Sequence, residues 1–465
     1  MPLLCPAAVQ KANREEAPVL SLGSRAIPRF LEMSDEPKES GDESPHSKGG
    51  DCVTCSDPRD GITPASSVLT VLGCPGPSVN DGGKETGPRP LRVMFVITCM
   101  PVGGAETLLV QLVRRLDRAR FAPELCCLKY LGPLGEVLAG EVPAFTGLLA
   151  HKYDFGVLGR LTRLMRRRQI DAVVTVGTGG DKMFWGRLAG RLAGVPVICS
   201  ALHSTGLPDH VELPNRLLAP ITDAFIAVAA SHGRYLAEHE GCPARKVRVI
   251  PNGVDTERFR PLPPDPALRR ELGIPGDAPL AGIVAALRPE KNHPLFLQAA
   301  QRIREEIAGA HFLVIGDGPQ REPLENLARD LGLSDAVHFL GTRHDVPSLL
   351  SLLDVFVLTS HMEANPVSIL EALACEKPVV ATAVGSVPET VLEDKTGCLA
   401  EPGNAQAVAD RVLSLFRDPR RAAALGRAGR RHVVAHWSLE RMVGGYEELL
   451  EGLFEAKTAA GQDER

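Results

Sequence analysis

The sequence predicts an α/β protein built from two doubly wound domains, and three observations carry that expectation. From Leu91 onward, short apolar runs alternate with amphipathic helical stretches, the pattern of βαβ units and parallel sheet. The alternation breaks once, at Arg260-Pro261-Leu262-Pro263-Pro264-Asp265-Pro266, which has the composition of a linker, and then resumes. The chain has 465 residues, enough for two such domains and an extension.

Strands are expected at 91–98, 124–129, 171–176, 195–200, 223–229 and 247–250 before the break. They are expected at 280–287, 310–315, 336–340, 354–358 and 378–382 after it. These runs place a first domain at 89–258 and a second at 259–436, with a hinge near 255–265. A last helix at 437–456 carries Leu439, Met442, Val443, Tyr446, Leu449, Leu450 and Phe454 at helical spacing. Its apolar face packs either on its own domain or back on the first, and 457–465 reads as a flexible tail. Residues 1–88 contain one aromatic, Phe30, and many Pro, Gly, Ser and acidic residues. Such a segment buries too little apolar surface to offset its ordering entropy and is expected to be disordered.

A hydrophobic content of 44% and a charged content of 23% are those of a soluble globular protein. The net charge of −5 and the lack of any nucleic-acid module argue against DNA or RNA as partner. Eleven cysteines are scattered, several in apolar stretches, as in a reduced cytoplasmic protein rather than a disulfide scaffold. Cys52 and Cys55 form a lone Cys-x-x-Cys with no second pair at zinc-ligand spacing. No apolar run reaches membrane-spanning length, and the N-terminus lacks the basic start and apolar core of a signal peptide.

The densest chemical signal is Glu363-Ala364-Asn365-Pro366-Val367-Ser368-Ile369-Leu370-Glu371. Asn365 is a good N-cap and Pro366 suits the first helical position. Glu363 then precedes the helix and Glu371 lies inside it, leaning back toward its start. The free N–H groups of Val367 and Ser368 at that start make a phosphate site. Two carboxylates around it fit a ligand with phosphates in the middle and hydroxyl-bearing rings at both ends, the layout of a nucleotide-sugar. Acidic residues also offset a helix dipole with no ligand at all, so the pair gains its meaning from its surroundings.

Those surroundings lie at carboxyl ends of strands, where ligands bind in open α/β sheets. Gly103 and Gly104 follow the first strand and open a helix, letting backbone approach a ligand. Arg288 and Lys291, in Leu287-Arg288-Pro289-Glu290-Lys291-Asn292-His293, are placed to neutralise a pyrophosphate. Gly316 ends one strand in a tight turn, and Leu340, within Phe339-Leu340-Gly341, ends the next, where backbone groups can read a base edge. Gly385-Ser386-Val387-Pro388-Glu389 opens a short helix after the strand at 378–382. In the first domain His203 follows a strand and faces the same cleft. Arg160, Arg163 and Arg167 share one face of an amphipathic stretch, which rests on anionic lipid or is simply the solvated side of a packed helix.

Taken together, residues from about 91 to 455 resemble the retaining nucleotide-sugar glycosyltransferases of family 4 (group 1 glycosyltransferases). The resemblance rests on Gly103-Gly104-Ala105-Glu106, Val249-Ile250-Pro251-Asn252-Gly253-Val254-Asp255, Pro289-Glu290-Lys291-Asn292, Gly316-Asp317-Gly318-Pro319 and the Glu363–Glu371 pair. It implies the GT-B architecture, two Rossmann-like doubly wound domains facing a central cleft. It implies transfer of a hexosyl-type sugar from a UDP- or GDP-sugar to a hydroxyl on a carbohydrate or lipid-linked acceptor, in polysaccharide or glycolipid assembly. Glu371 would hold the ribose, Glu363 and His203 the transferred sugar, and Lys291 and Arg288 the pyrophosphate. Asn365, Val367, Ser368, Gly316 and Leu340 would complete the donor side, with Gly103 and Gly104 reaching the phosphates or acceptor from the first domain. No bound metal or other cofactor is implied, and the cell site would be the cytoplasm or the inner membrane face.

Three positions depart from the family pattern: Ala286 where an arginine is usual, Ala364 and Ser386 where glycines are usual. Arg288, two residues after Ala286, would be the substitute charge. A nucleotide-sugar epimerase or a non-catalytic nucleotide-sugar-binding protein of the same architecture are the rival readings. A glycoside hydrolase fits less well, since its carboxylates flank a sugar rather than a phosphate-binding helix start.

Overall fold

In the first half of the chain, the segment Val93–Ile97 is buried at every position. A strand covered on both faces reads as a continuous apolar run, which is why the sequence pattern exposed it. The computed structural model describes residues 71–72 (backbone), 89–151, 154–177, 183–203 and 211–463. Of the segment 1–88, expected to be disordered, only Val71 and Leu72 fall among them, as a two-residue strand. Cys52 and Cys55 lie outside the described residues.

The first sheet contains β1 (Val71–Leu72), β2 (Leu91–Ile97), β3 (Phe121–Cys127), β4 (Ala144–Phe145), β5 (Ala172–Gly177), β6 (Val197–Leu202), β7 (Ala224–Ala227) and β8 (Val247–Val249). Their order is β1-β4-β3-β2-β5-β6-β7-β8, parallel except where β1 pairs antiparallel with β4. The second sheet contains β9 (Leu280–Val284), β10 (His311–Ile315), β11 (Val337–Gly341), β12 (Val355–Leu358), β13 (Val379–Thr382) and β14 (Gly397–Ala400). It is parallel, in the order β11-β10-β9-β12-β13-β14. The two sheets with their helices are two Rossmann-like units, the GT-B arrangement. The two-residue β4 and the β14 segment Gly-Cys-Leu-Ala carry too weak a pattern to be read from sequence.

Helices cover both sheets: α1 (Gly104–Arg115), α2 (Gly132–Ala139), α3 (Gly156–Arg168), α4 (Met183–Ala193), α5 (Glu212–Leu218) and α6 (Ala230–Glu238) in the first half. The second half has α7 (Pro266–Glu271), α8 (His293–Glu306), α9 (Arg321–Asp330), α10 (Val346–Leu352), α11 (Val367–Ala374), α12 (Val387–Thr390), α13 (Ala405–Arg417) and α14 (Pro419–His436). The last, α15 (Leu439–Asp463), crosses back: Leu439, Met442, Val443, Tyr446 and Leu450 are buried in the core of the first sheet with Leu108, Leu112 and Cys199. It does not end at residue 456. Lys457 Nζ donates to Pro196 O at 2.7 Å and pairs with Asp223, so the helix continues where a flexible tail was expected.

The chain therefore passes between the units twice, and the two crossings pair. Val254 N donates to Trp437 O (2.9 Å), and Leu439 N donates to Val254 O (3.1 Å). Gly253 permits the approach, because a β-carbon there would lie 2.6 Å from Ser438 O.

On α3 the arginines divide. Arg160 bonds Leu148 O and Asp154, Arg166 bonds Leu192 O, and Arg168 pairs with Glu124 at 2.8 Å, while Val157, Leu161, Leu164 and Met165 are buried. Of the three arginines on the shared face, Arg160 thus serves the domain's own carbonyl and acid, while Arg163 and Arg167 are exposed.

Candidate functional site

In the second sheet the strand order reverses between β9 and β12, and loops on either side of such a switch point diverge to leave a crevice. The loop after β9 carries Arg288 and Lys291, and the loop after β12 carries Glu363. They are laced together: His361 N donates to Glu290 O (2.9 Å), and Thr359 Oγ1 donates to Asn292 O (3.0 Å).

Glu363 is 5% exposed. Its Oε1 accepts from Lys291 Nζ and from Ser360 Oγ, each at 2.6 Å. A buried carboxylate needs such partners to remain in place. Its backbone is also held, since Ser386 N donates to Glu363 O at 3.1 Å. Gly385, at φ +51°, lets this turn pass so close that a β-carbon would collide with the same carbonyl. Sequence reasoning missed Ser360. Its signal was a Thr-Ser pair ending an otherwise apolar strand.

The helix start differs by one residue from expectation. α11 begins at Val367 with Pro366 as its N-cap, and Asn365 makes no capping bond. Pro366 is extended (ψ 112°), so the chain turns into the helix only after it. Instead, Asn365 O accepts from Asn252 Nδ2 at 3.0 Å, tying the segment after β8 to the loop before α11. Both polar atoms of the Asn365 side chain are buried without a protein partner. Unsatisfied polar atoms in a crevice are places for a ligand or water to bond.

Glu371 lies in the second turn of α11. Burial pushes its carboxyl up to about 7, against the opposing pull of the Arg258 charge at the hinge. Gly316 (φ +140°) sits where a β-carbon would strike Ala285 O, and its N–H donates to Gly341 O (2.9 Å). Phe339 O accepts from Arg321 Nη2 at 3.3 Å, and Leu340 follows it on the edge strand β11.

The first sheet brings a second helix start to the same place. Gly103 caps α1 with extended backbone and no side-chain bond, and the Glu106 carboxylate folds over it. A β-carbon on Gly104 would lie 3.8 Å from Val367 Cγ2, so the N-termini of α1 and α11 meet across the cleft. Burial raises the Glu106 carboxyl, and the charge of Arg288 on the other unit acts to lower it. Arg288 is exposed and Lys291 partly so, leaving two cations at this junction.

His203 follows β6, its N–H donating to Gly177 O at 2.9 Å. Burial holds its imidazole down to about 4, so it is neutral at physiological pH. With Ala105, Val176, Asn252 and Tyr446 it lines a small cavity of ≈ 20 Å³ behind the α1 start. Gly104 thus meets Val367 at the start of α11 from the opposite unit, and His203 lies in the cavity behind the α1 start.

Comparison with known proteins agrees with this geometry. The family described as "Glycosyltransferase Family 4" matches residues 102–258, and "Glycosyl transferases group 1" matches residues 264–432. A GDP-mannose-dependent alpha-(1-6)-phosphatidylinositol monomannoside mannosyltransferase of Mycobacterium tuberculosis is 36% identical over 277 residues, 56% of this chain and 71% of that protein. The protein of the same name from Mycolicibacterium smegmatis is 35% identical over 228 residues, 47% of this chain and 59% of that one. The structure of Anabaena Alr3699/HepE in complex with UDP and glucose aligns with a TM-score of 0.68 at 21% identity, covering 78% of this chain and all of that one, a likeness of fold. On the strength of the sequence matches in both halves, the chain belongs to the group 1 glycosyltransferases of family 4.

Proposed function

We propose that the protein is a retaining glycosyltransferase that moves a hexosyl group from a GDP- or UDP-sugar to a hydroxyl of a carbohydrate or lipid-linked acceptor. The observation that carries this reading is the meeting of two helix N-termini beside Arg288 and Lys291, with the buried Glu363 next to them. Helix starts and cations together stabilise a diphosphate leaving group as charge develops on it. The relatives named as GDP-mannose-dependent mannosyltransferases support a guanine nucleotide, and the fold is shared with Anabaena Alr3699/HepE, whose structure is a complex with UDP and glucose.

In this reading Glu371 receives the ribose hydroxyls, and Lys291, Arg288 and the N–H groups of Val367 and Ser368 receive the diphosphate. Gly316, Leu340 and Asn365 line the nucleotide side, and Gly103 and Gly104 close over the phosphates. Glu363 and the neutral His203 hold the sugar by its hydroxyls. The bond from the anomeric carbon to the phosphate oxygen breaks, and a bond to the acceptor oxygen forms on the same face. The acceptor proton passes to the departing phosphate oxygen, and configuration is kept because the acceptor enters on the face the phosphate leaves. Residues 89–258 act as the acceptor side and 259–436 as the donor side. Contact with a lipid surface at the cytoplasmic membrane face accompanies a lipid-linked acceptor.

The test is a calorimetric panel of GDP, UDP and ADP, then NMR of the anomeric proton in product made from the preferred donor. One diphosphate should bind at least tenfold tighter than the others, and the new linkage should keep the donor's configuration. Loss of donor without an acceptor-linked product, or inverted product, overturns the reading.

A further inference from the structure

Helix α6 of the first unit starts without a cap of its own. Its N-cap position is Ala229, in extended backbone (φ −161°, ψ 163°), and alanine has no side-chain acceptor. An uncapped start leaves N–H groups unsatisfied at the positive end of the helix dipole. Those groups are met from the other unit. Glu389 Oε1 accepts from Ser231 N at 2.6 Å and Oε2 accepts from Ala230 N at 3.0 Å. A cap therefore bridges a sequence separation of 158 residues and spans the cleft.

The element that carries Glu389 is the one that holds Glu363. Glu389 N donates to Ser386 O (2.9 Å), and Ser386 N donates to Glu363 O (3.1 Å). Gly385 packs against that carbonyl, while Ser386 and Val387 are fully buried and fix the turn to its sheet. The α6 end is equally anchored: Val228 N donates to His232 Nδ1 at 3.2 Å, and burial holds the His232 imidazole down to about 4, so the neutral ring accepts this bond, with His203 close by. A short chain of bonded residues thus runs from the donor-side carboxylate to the helix beside the first unit's histidine.

We propose that Glu389 is a positioning residue, a latch whose carboxylate caps α6 in trans and so fixes the closed relation of the two units. Both N–H groups lose this partner when the units separate, and no side chain at position 229 replaces it. The latch thereby favours the arrangement in which the starts of α1 and α11 meet. The inference rests on the cleft being where donor and acceptor meet.

The test uses the full chain with Glu389→Ala, Glu389→Gln and the double variant Glu389→Ala/Ala229→Ser. The added serine gives α6 a local cap without touching the other unit. Small-angle scattering should show a larger radius for Glu389→Ala, acceptor KM should rise or kcat fall at least tenfold, and nucleotide Kd should stay within threefold. Glu389→Gln, which keeps one acceptor oxygen, should lie between. The double variant should recover melting temperature but neither compactness nor turnover. If Glu389→Ala remains as compact as the parent, or if the local serine cap restores turnover along with melting temperature, the latch is wrong. The scattering comparison stands even if the donor panel finds no transfer activity, which separates failure of the latch from failure of the functional reading.

Discussion

Lys291 Nζ and Glu363 Oε1 form an ion pair of 2.6 Å at the carboxyl end of the second sheet, so the cation proposed to receive phosphate is already held by the carboxylate proposed to hold the sugar. Donor binding must share or exchange that partner. Glu363→Gln should therefore lower kcat by about 10²–10³-fold, the size of a lost contact made in the transition state. Nucleotide diphosphate affinity should be unchanged or tighter, because Lys291 is released. Equal losses in binding and turnover would show that Glu363 only builds the pocket.

Lys291→Ala should act in the opposite sense, weakening nucleotide diphosphate at least tenfold. Arg288→Ala should do the same to a smaller degree. Adding Ala286→Arg to Arg288→Ala should restore binding if Arg288 is the substitute charge. Titration calorimetry of the three variants reads this directly.

The Glu371 carboxyl, raised to about 7, predicts a pH dependence of nucleotide binding. A ribose diol donates to the ionised form, so affinity should rise from pH 6 to pH 8 with a bend near 7. Below the bend it should fall about tenfold per pH unit. Glu371→Gln should flatten the profile. A parent profile that is already flat removes Glu371 from the ribose.

Gly385→Ala places a β-carbon into Glu363 O at a left-handed φ. It should destabilise the protein by roughly 1–3 kcal/mol and displace Glu363 even where the fold survives. Thermal melts and donor turnover measured together distinguish the two effects.

Burial holds His203, His232 and His293 each down to about 4 from an ordinary 6.5. The unfolded chain takes up these protons first. The stability they contribute is complete above about pH 6.5 and is lost as pH falls toward 4, by about 1.4 kcal/mol per pH unit for each histidine. Denaturant unfolding between pH 7 and pH 5 should show this slope, and His293→Gln should reduce it by one histidine's share.

The sequence by itself determined the two α/β units, the break between them and the loops that carry chemistry. Buried parallel strands are nearly all apolar, and Gly, Lys and Glu at their ends stand out against them. It also marked an apolar face on the last helix but left its partner open, and it ended that helix at 456. Only the tertiary structure decided that α15 buries that face on the first sheet, with Lys457 bonded to Pro196 and Asp223 beyond the expected end. The same holds for Asn365, which has the residue type of an N-cap but is claimed at its carbonyl by Asn252 and leaves the capping position to Pro366. Glu389 could not be read as the partner of α6, because that bond joins residues 158 apart in the chain. Ser360 lies only three residues before Glu363, but a Ser-x-x-Glu spacing in a loop does not fix where either side chain points. Local pattern reports which face of an element is apolar. Which other element covers that face, and which carboxylate meets which N–H group across a cleft, depends on long-range packing that periodicity does not encode.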